Sequence, residues 1–380
     1  MAEIGFVALD PRKAKRARMI ATLGDLGPIH WLRMPPLRWR NYPETAARVQ
    51  LALEAAQSVT APWLIGVKRK MLALQYNGTR AYFEKHPAAV AVCWNGLNGA
   101  RRAFMEGAKD AGARRLYFEL SPLAGRVTVD PNGVNYLNSL PRNLGPYLNW
   151  FAASGLPADG WREIGAQIKQ RKAASEKPAF VGDLPGLDMP FLFVPLQYPG
   201  DSQMRLFGGA FRTVESFVQA LGQAAKALPE GWHLRIKDHP TAPVSFAQAV
   251  RDLGQANVVM DNATDTFAQV AASRGVVTVN SSVGLEAMFY EKPVIAAGQC
   301  FWAIAGLAEM APSADALAQV FARAGGLGFD PAGRAAFLSF LTEIYYPAPG
   351  PDQAAKVAIR LQGGDEFGFW RQDGIDAAVR

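Results

Sequence analysis

Three observations predict an α/β chain of two Rossmann-like domains facing an interdomain cleft. At 380 residues the chain is too long for one ordinary domain. Short apolar runs alternate with helical patterns, and that alternation implies parallel sheet. Between residues 191 and 297 the alternation is regular enough to read as a complete Rossmann-like unit.

The elements follow in order. Ile4–Leu9 is a short apolar run before a polar turn, hence a buried strand. Residues 12–24 have helical character, and Pro28–Leu32 reads as a second strand. Alanine-rich residues 44–58 favour helix, while residues 60–85 mix helical and apolar signals. Ala88–Trp94 is an apolar run ending in the Asn95-Gly96 turn. Gly99–Ala111 is a helix closed by Gly112, and Arg115–Leu120 is the next strand. Residues 121–185 are rich in Pro, Gly and Asn, with a helix near 160–174, and Gly182–Pro190 has the composition of a linker. Strands then follow at Phe191–Leu196, His233–Lys237, Val258–Met260, Gly275–Val279 and Pro293–Ala297. Helices separate them at Val214–Leu228, Phe246–Leu253, Asp265–Ser273 and Val283–Tyr290. Further helices fall around Ala335–Leu341 and at residues 352–362. The expected division is 1–185, 186–345, and a tail of 346–380 that crosses back to the first domain.

Composition narrows the function. The chain is 49% hydrophobic and 19% charged, the balance of a folded protein with a sizeable core. A net charge of +7 suggests an anionic partner: nucleotide, acidic glycan, phospholipid surface or nucleic acid. Dispersed basic residues and the lack of a recognition motif exclude nucleic acid. Cys93 and Cys300 offer neither a disulfide framework nor metal-ligand spacing, so a reducing cytoplasm is the expected compartment. No basic region precedes the first apolar run, so it does not read as a signal peptide. No uncharged stretch approaches the ~20 residues of a membrane span, so any membrane contact is peripheral. The basic run Arg12–Met19 is either a lipid-contacting segment or a solvated helix face. Phe367–Arg371 is either an interfacial anchor or a segment packed on the first domain.

Two groups of residues carry chemistry. Lys237, Asp238, His239 and Pro240 follow a strand, and Pro240 fixes the turn. His239 there can donate to a phosphate oxygen and Lys237 can add charge; a satisfied turn histidine is the bland alternative. Asn280, Ser281 and Ser282 end a strand and begin a helix, whose free N–H groups suit both a cap and an anion. Glu286, one turn on, suits a ribose diol or the helix dipole. Glu119 and Asp130 form a candidate carboxylate pair of the kind used in glycosyl transfer, although Asp before Pro-Asn-Gly is commonly a turn residue. Gln197, Asp201 and Gln203 follow the first strand of the second half and are further cleft candidates, with Asn95, Asn135 and Arg142 from the first. Together these groups read as a group-transfer enzyme acting on a nucleotide-activated donor.

The same residues resemble the bacterial capsule polysaccharide biosynthesis and export family. The likeness runs through Cys93–Gly96, Phe118-Glu119, Val129–Asn135 and Ser139–Arg142. It continues through Pro195–Gln197, Asp201–Gln203, Lys237 with His239-Pro240, Asn280–Glu286 and Lys292–Val294, over about residues 90 to 310. The resemblance implies a GT-B fold and a retaining β-Kdo transferase that takes CMP-β-Kdo and builds the lipid-linked Kdo linker of a capsule. It implies that His239 and the Ser281/Ser282 helix end hold the CMP phosphate, with no metal or other cofactor. It implies Asp130 as nucleophile of a double displacement and Glu119 as acid/base. The partners implied are a nucleotide-sugar donor and a glycan or glycolipid acceptor, with peripheral contact to anionic inner membrane and capsule assembly proteins. The sequence departs from the family at Leu120-Ser121-Pro122, where a glycine is expected behind the glutamate. Alternatives are another CMP- or UDP-sugar GT-B enzyme, sialyltransferase-like or an epimerase, and a non-catalytic export scaffold.

Overall fold

The computed structural model describes residues 5–11, 13–55, 61–168 and 177–361. The chain divides into two compact units, residues 1–141 together with 341 onward, and residues 142–340. Arg12 and Phe367–Arg371 lie outside the described residues.

Unit 1 begins with β1 (Phe6–Leu9), α1 (Lys13–Leu23), β2 (Ile29–Leu32), α2 (Thr45–Glu54) and α3 (Pro62–Lys85). It continues with β3 (Val90–Trp94), α4 (Gly99–Asp110), β4 (Arg114–Leu120) and β5 (Val127–Asp130). Among the described residues its sheet is five-stranded, ordered β2-β1-β3-β4-β5 and parallel except between β4 and β5. The stretch with mixed signals is one helix, α3, whose later half is buried against α4. The helices approach closely at Gly107, where a Cβ would lie 2.8 Å from the Tyr76 carbonyl oxygen. Strand β5 sits where loop is expected. Its four residues are all buried, because β4 supplies the ladder and the chain after residue 341 covers it.

Unit 2 begins with α5 (Gly145–Ser154), α6 (Trp161–Gly165), β6 (Phe180–Val181), β7 (Phe191–Pro195) and α7 (Ser202–Phe207). Next come α8 (Val214–Ala225), β8 (His233–Lys237), α9 (Ala247–Asp252), β9 (Val258–Asp261) and α10 (Thr266–Ala272). The unit closes with β10 (Gly275–Thr278), α11 (Ser282–Phe289), β11 (Val294–Ala296), β12 (Glu309–Met310), α12 (Ala314–Ala322) and α13 (Pro331–Phe340). Among the described residues the sheet order is β12-β11-β10-β7-β8-β9-β6, with only β6 antiparallel. From β7 the chain winds outward through β8 and β9, then returns to β10 on the other side. Without β6 this is the doubly wound order, and the winding reverses between β7 and β10. Its core gathers Leu192, Val194, Leu234, Ile236, Val277 and Ile295 under α8, whose Phe217, Val218 and Leu221 are buried. Thr213 and Ser216 close a capping box at the start of α8.

The last described helix, α14 (Pro351–Leu361), lies in unit 1, where Val357 and Leu361 join the core of Phe6, Val90 and Leu116. Arg360 donates to the Val129 and Ile344 carbonyls at 2.6 Å each, and Arg126 donates to the carbonyl of Tyr346 at 2.7 Å. The boundary expected at residue 185 is corrected to 141/142. Gly182–Pro190 is internal to unit 2 and not a linker. Val181 pairs with Met260, and Arg235 Nη1 donates to the Pro185 carbonyl at 2.9 Å. Pro and Gly mark a loop without saying whether the chain changes domain. The return at 340/341 carries no such mark, because α13 runs directly into a turn of π-helix at Leu341–Tyr345.

Candidate functional site: the crevice of unit 2

The site of unit 2 lies where the winding of the sheet reverses, at the carboxyl ends of the strands, the position that topology favours for a ligand. A small pocket opens there. Its walls come from the ends of β7 and β8, the first turn of α10 and the first turns of α11. Lys237, His239, Pro240, Ser281, Ser282 and Glu286, all expected from the sequence, line this one pocket.

His239 is oriented by its own turn. Its Nδ1 accepts from the Thr241 backbone N–H at 3.2 Å, so the neutral ring carries its proton on Nε2. The Tyr198 ring meets it edge-on at 5.8 Å, and Lys177 donates to its carbonyl. Ser281 Oγ caps α11 by accepting from the Val283 N–H at 3.2 Å. Gly284 lets that helix sit low, because a Cβ there would lie 2.4 Å from the Trp302 ring. The start of α11 thus combines backbone N–H groups with the positive end of a helix dipole.

Several expected residues also hold the pocket wall together. Lys237 is buried, and its Nζ donates to the Asn262 and Thr264 carbonyls at 2.7 Å each. Burial pushes its ammonium below the usual value, with Asp261, Asp265 and Asp238 opposing. It therefore ties the β9–α10 loop to the pocket wall while lining the pocket to which the sequence expects it to add charge. Gln197 and Asn280 are paired across the reversal. The Asn280 N–H donates to Gln197 Oε1 at 3.0 Å, and Gln197 Nε2 returns a bond to Asn280 Oδ1 at 2.9 Å. This amide pair staples the end of β7 to the end of β10. Asp201 caps α7 through the Gln203 N–H at 2.9 Å, and the Gln203 carbonyl accepts from Asn280 Nδ2 at 3.0 Å.

Sequence reasoning left Asp238 without a role and passed over Asn262 and the Arg235–Asp261 pair. Asp238 accepts from Ser245 Oγ at 2.6 Å and from the Phe246 N–H at 3.1 Å, while its own N–H donates to Asn262 Oδ1 at 2.8 Å. Arg235 and Asp261 form a buried ion pair at 2.7 Å. Burial pushes the Asp261 carboxyl up, but Thr264 and Arg235 outweigh it and hold the group below its usual range. An Asp directly after a strand in Lys237-Asp238-His239 was the available signal, since such residues commonly organise the turn that follows.

The carboxylates of unit 1

Glu119 and Asp130 lie on one face of the β4–β5 pair, Glu119 opposite Thr128 and Asp130 opposite Tyr117. Their environments differ sharply. Glu119 is half-buried and accepts from Trp94 Nε1 at 3.1 Å, Asn95 Nδ2 at 2.8 Å and the Leu120 N–H at 2.9 Å. Asn95 reaches it from a left-handed backbone, φ 69°, which Asn tolerates better than most residues.

Asp130 is fully buried. Its Oδ1 accepts from the Asn132 and Gly133 N–H groups at 2.7 and 3.0 Å. Its Oδ2 accepts from Ser139 N–H at 3.0 Å, Ser139 Oγ at 2.8 Å and Tyr345 Oη at 3.1 Å. Five donors close around it, leaving no oxygen presented to a substrate. Asp130, the nucleophile the resemblance implies, is thus engaged in organising the 130–139 loop. Asn135 stands within that loop at φ 55°, opening a short turn, and Arg142 falls in unit 2.

Residues 160–322 match the family described as capsule polysaccharide biosynthesis protein. Protein FixF of Sinorhizobium fredii (strain NBRC 101917 / NGR234) is 29% identical over 283 residues, which cover 73% of this chain. That match spans 66% of the relative's own length. Among solved structures, the Thermosulfurimonas dismutans KpsC beta Kdo 2,7 transferase matches with a TM-score of 0.50 at 11% identity, over 87% of this chain and 89% of the other. The beta Kdo 2,4 transferase of the same protein gives 0.47 at 17% identity, over 88% and 90%. The first likeness shows the fold, a GT-B-like chain of two parallel-sheet α/β domains. The likeness to the capsule polysaccharide biosynthesis protein family covers residues 160–322, less than half of the chain.

Proposed function

We propose that the protein is a retaining β-Kdo glycosyltransferase that takes CMP-β-Kdo as donor and extends a glycan or glycolipid acceptor. The observation that carries this reading is the pocket of unit 2. His239, with its proton on Nε2, and the start of α11 line one small crevice at the reversal of a doubly wound sheet. When a CMP-sugar is cleaved, its bridging oxygen leaves with the nucleotide, and the phosphate gains a negative charge. A hydrogen-bond donor and a helix N-terminus stabilise that charge without a metal. On unit 1 the reading assigns Glu119, and not the enclosed Asp130, as the carboxylate that takes part in transfer. Retention requires a carboxylate to attack the anomeric carbon as CMP leaves, and an acceptor hydroxyl to displace that carboxylate in turn.

Calorimetric titration with CMP and UDP tests the donor side. CMP binds more tightly than UDP, and His239→Ala weakens it roughly ten- to hundredfold, the worth of one hydrogen bond to a charged group. Intact mass after incubation with CMP-Kdo tests the chemistry: a Kdo adduct forms in the wild type and is lost in Glu119→Gln. Turnover persists in EDTA. A preference for UDP would move the reading to another sugar-nucleotide enzyme, and binding of neither nucleotide to a scaffold.

A further inference from the structure

Unit 1 exposes an apolar and basic surface that its fold does not use. In the first turns of α3, Trp63 is 77% exposed and Val67 62%, with Leu64, Ile65 and Met71 also exposed. The helix enters the core only from Leu72 onward. The loop after β2 adds Trp39, 84% exposed, with Met34 and Leu37. The loop packs on the turns of α3 that follow Met71. The Arg38 N–H donates to the Leu74 carbonyl at 3.0 Å, and a Cβ on Gly78 would lie 2.2 Å from the Pro36 carbonyl oxygen.

The charge of this surface is one-sided. Residues 33–41 and 61–71 carry Arg33, Arg38, Arg40, Lys68, Arg69 and Lys70 and no acidic residue, in a chain whose net charge is +7. Among the described residues Arg33, Arg40 and Lys70 are exposed and enter no ion pair. By contrast the basic face of α1 is partly engaged within its own unit. Arg16 pairs with Asp10 at 3.1 Å, and Lys15 lies 4.9 Å over the Trp94 ring.

Exposed Trp beside aliphatic residues and unpaired cations is the composition of a membrane interface. Indole rings settle at headgroup depth, and Lys and Arg meet anionic lipid. A closed dimer through the same patch would set like charges against each other, since a two-fold contact is self-complementary. We propose that the loop 33–41 and the first turns of α3 dock unit 1 on an anionic membrane. This surface is independent of the donor reading above.

Sedimentation of the full chain with vesicles tests it. The protein partitions onto phosphatidylcholine mixed with phosphatidylglycerol and not onto phosphatidylcholine alone, and salt reverses the binding. Arg69→Gln with Lys70→Gln lowers partition roughly thirtyfold, at about fivefold per basic residue. Trp63→Ser lowers it as well, while Lys13→Gln with Arg18→Gln on α1 changes it little. Melting temperatures equal to the wild type show that these variants are folded. Three results would overturn the proposal: no partition, partition unmoved by the α3 variants, or a dimer that Trp63→Ser dissolves without any vesicle binding.

Discussion

Replacing Asp130 by Asn separates a structural carboxylate from a catalytic one. The amide keeps the shape but can offer an acceptor to only one of the two donor groups. If its nitrogen takes the Oδ1 place, it meets two backbone N–H groups, Asn132 and Gly133. If it takes the Oδ2 place, the Ser139 and Tyr345 hydroxyls can turn to accept, but the Ser139 N–H cannot. The second arrangement is the less costly. It leaves one buried N–H unsatisfied, about 1–3 kcal/mol, and strips the charge from the remaining bonds, about 1 kcal/mol each. Neutralising a buried carboxylate recovers part of its desolvation cost, so the net loss is about 2–4 kcal/mol. For a unit of this size that lowers the melting temperature by roughly 5–15 °C. The assay is calorimetric or circular-dichroism unfolding of the full chain, read on the transition that moves, because two units need not melt as one. Turnover is measured in parallel well below that transition. Asp130→Asn is expected to melt early and retain turnover per folded molecule. Wild-type melting with turnover abolished would refute the argument and return Asp130 to the chemistry.

Other perturbations follow from the same geometry. The His233 ring is buried 5.3 Å from Phe191, and burial, helped by the Arg235 charge, pushes its pKa down to about 4. As pH falls below the unfolded value of about 6.5, the unfolded chain takes the proton first, so stability is lost between there and about 4. His233→Phe removes that component, on the order of 2–3 kcal/mol, and flattens the acid limb of a stability–pH curve relative to wild type; identical limbs would contradict it. Gly284→Ala drives a Cβ into the Trp302 ring and costs about 1–3 kcal/mol, with weaker CMP binding in titration because the start of α11 is displaced. Ser281→Ala removes the α11 cap at a cost of about 1 kcal/mol in urea unfolding. Gln197→Ala breaks the staple between β7 and β10 and raises the nucleotide Kd without touching the ligand.

The second unit was legible because its strands are buried on both faces. Phe191–Pro195 and His233–Lys237 are apolar runs broken by turns, and local pattern suffices to find them. The first unit was less so. Strand β5 reads as loop because its partner β4 and its cover, the chain after Leu341, are supplied by distant sequence. The domain boundary was missed because the chain leaves unit 1 at residue 141 inside a long Pro-, Gly- and Asn-rich stretch that does not single the point out, and returns at 341 with no such mark.

Site residues divide along a similar line. Residue type and position after a strand correctly gathered Lys237, His239, Ser281, Ser282 and Glu286 into one pocket. Sequence position could not tell which of them present an atom to a ligand and which hold the wall. Lys237 and Asp130 have the chemistry of a phosphate ligand and a nucleophile, yet each is surrounded by backbone partners that engage it. A buried charge is stable only when such partners surround it, so a strongly polar residue close to a reaction centre is often the one that builds the loop. His239 and Glu119 differ in kind: each is oriented by a neighbour, and each remains partly accessible. That combination of fixed geometry and remaining access is the property that reactivity requires. It is set by neighbours such as Thr241 and Asn95, whose importance no spacing rule conveys.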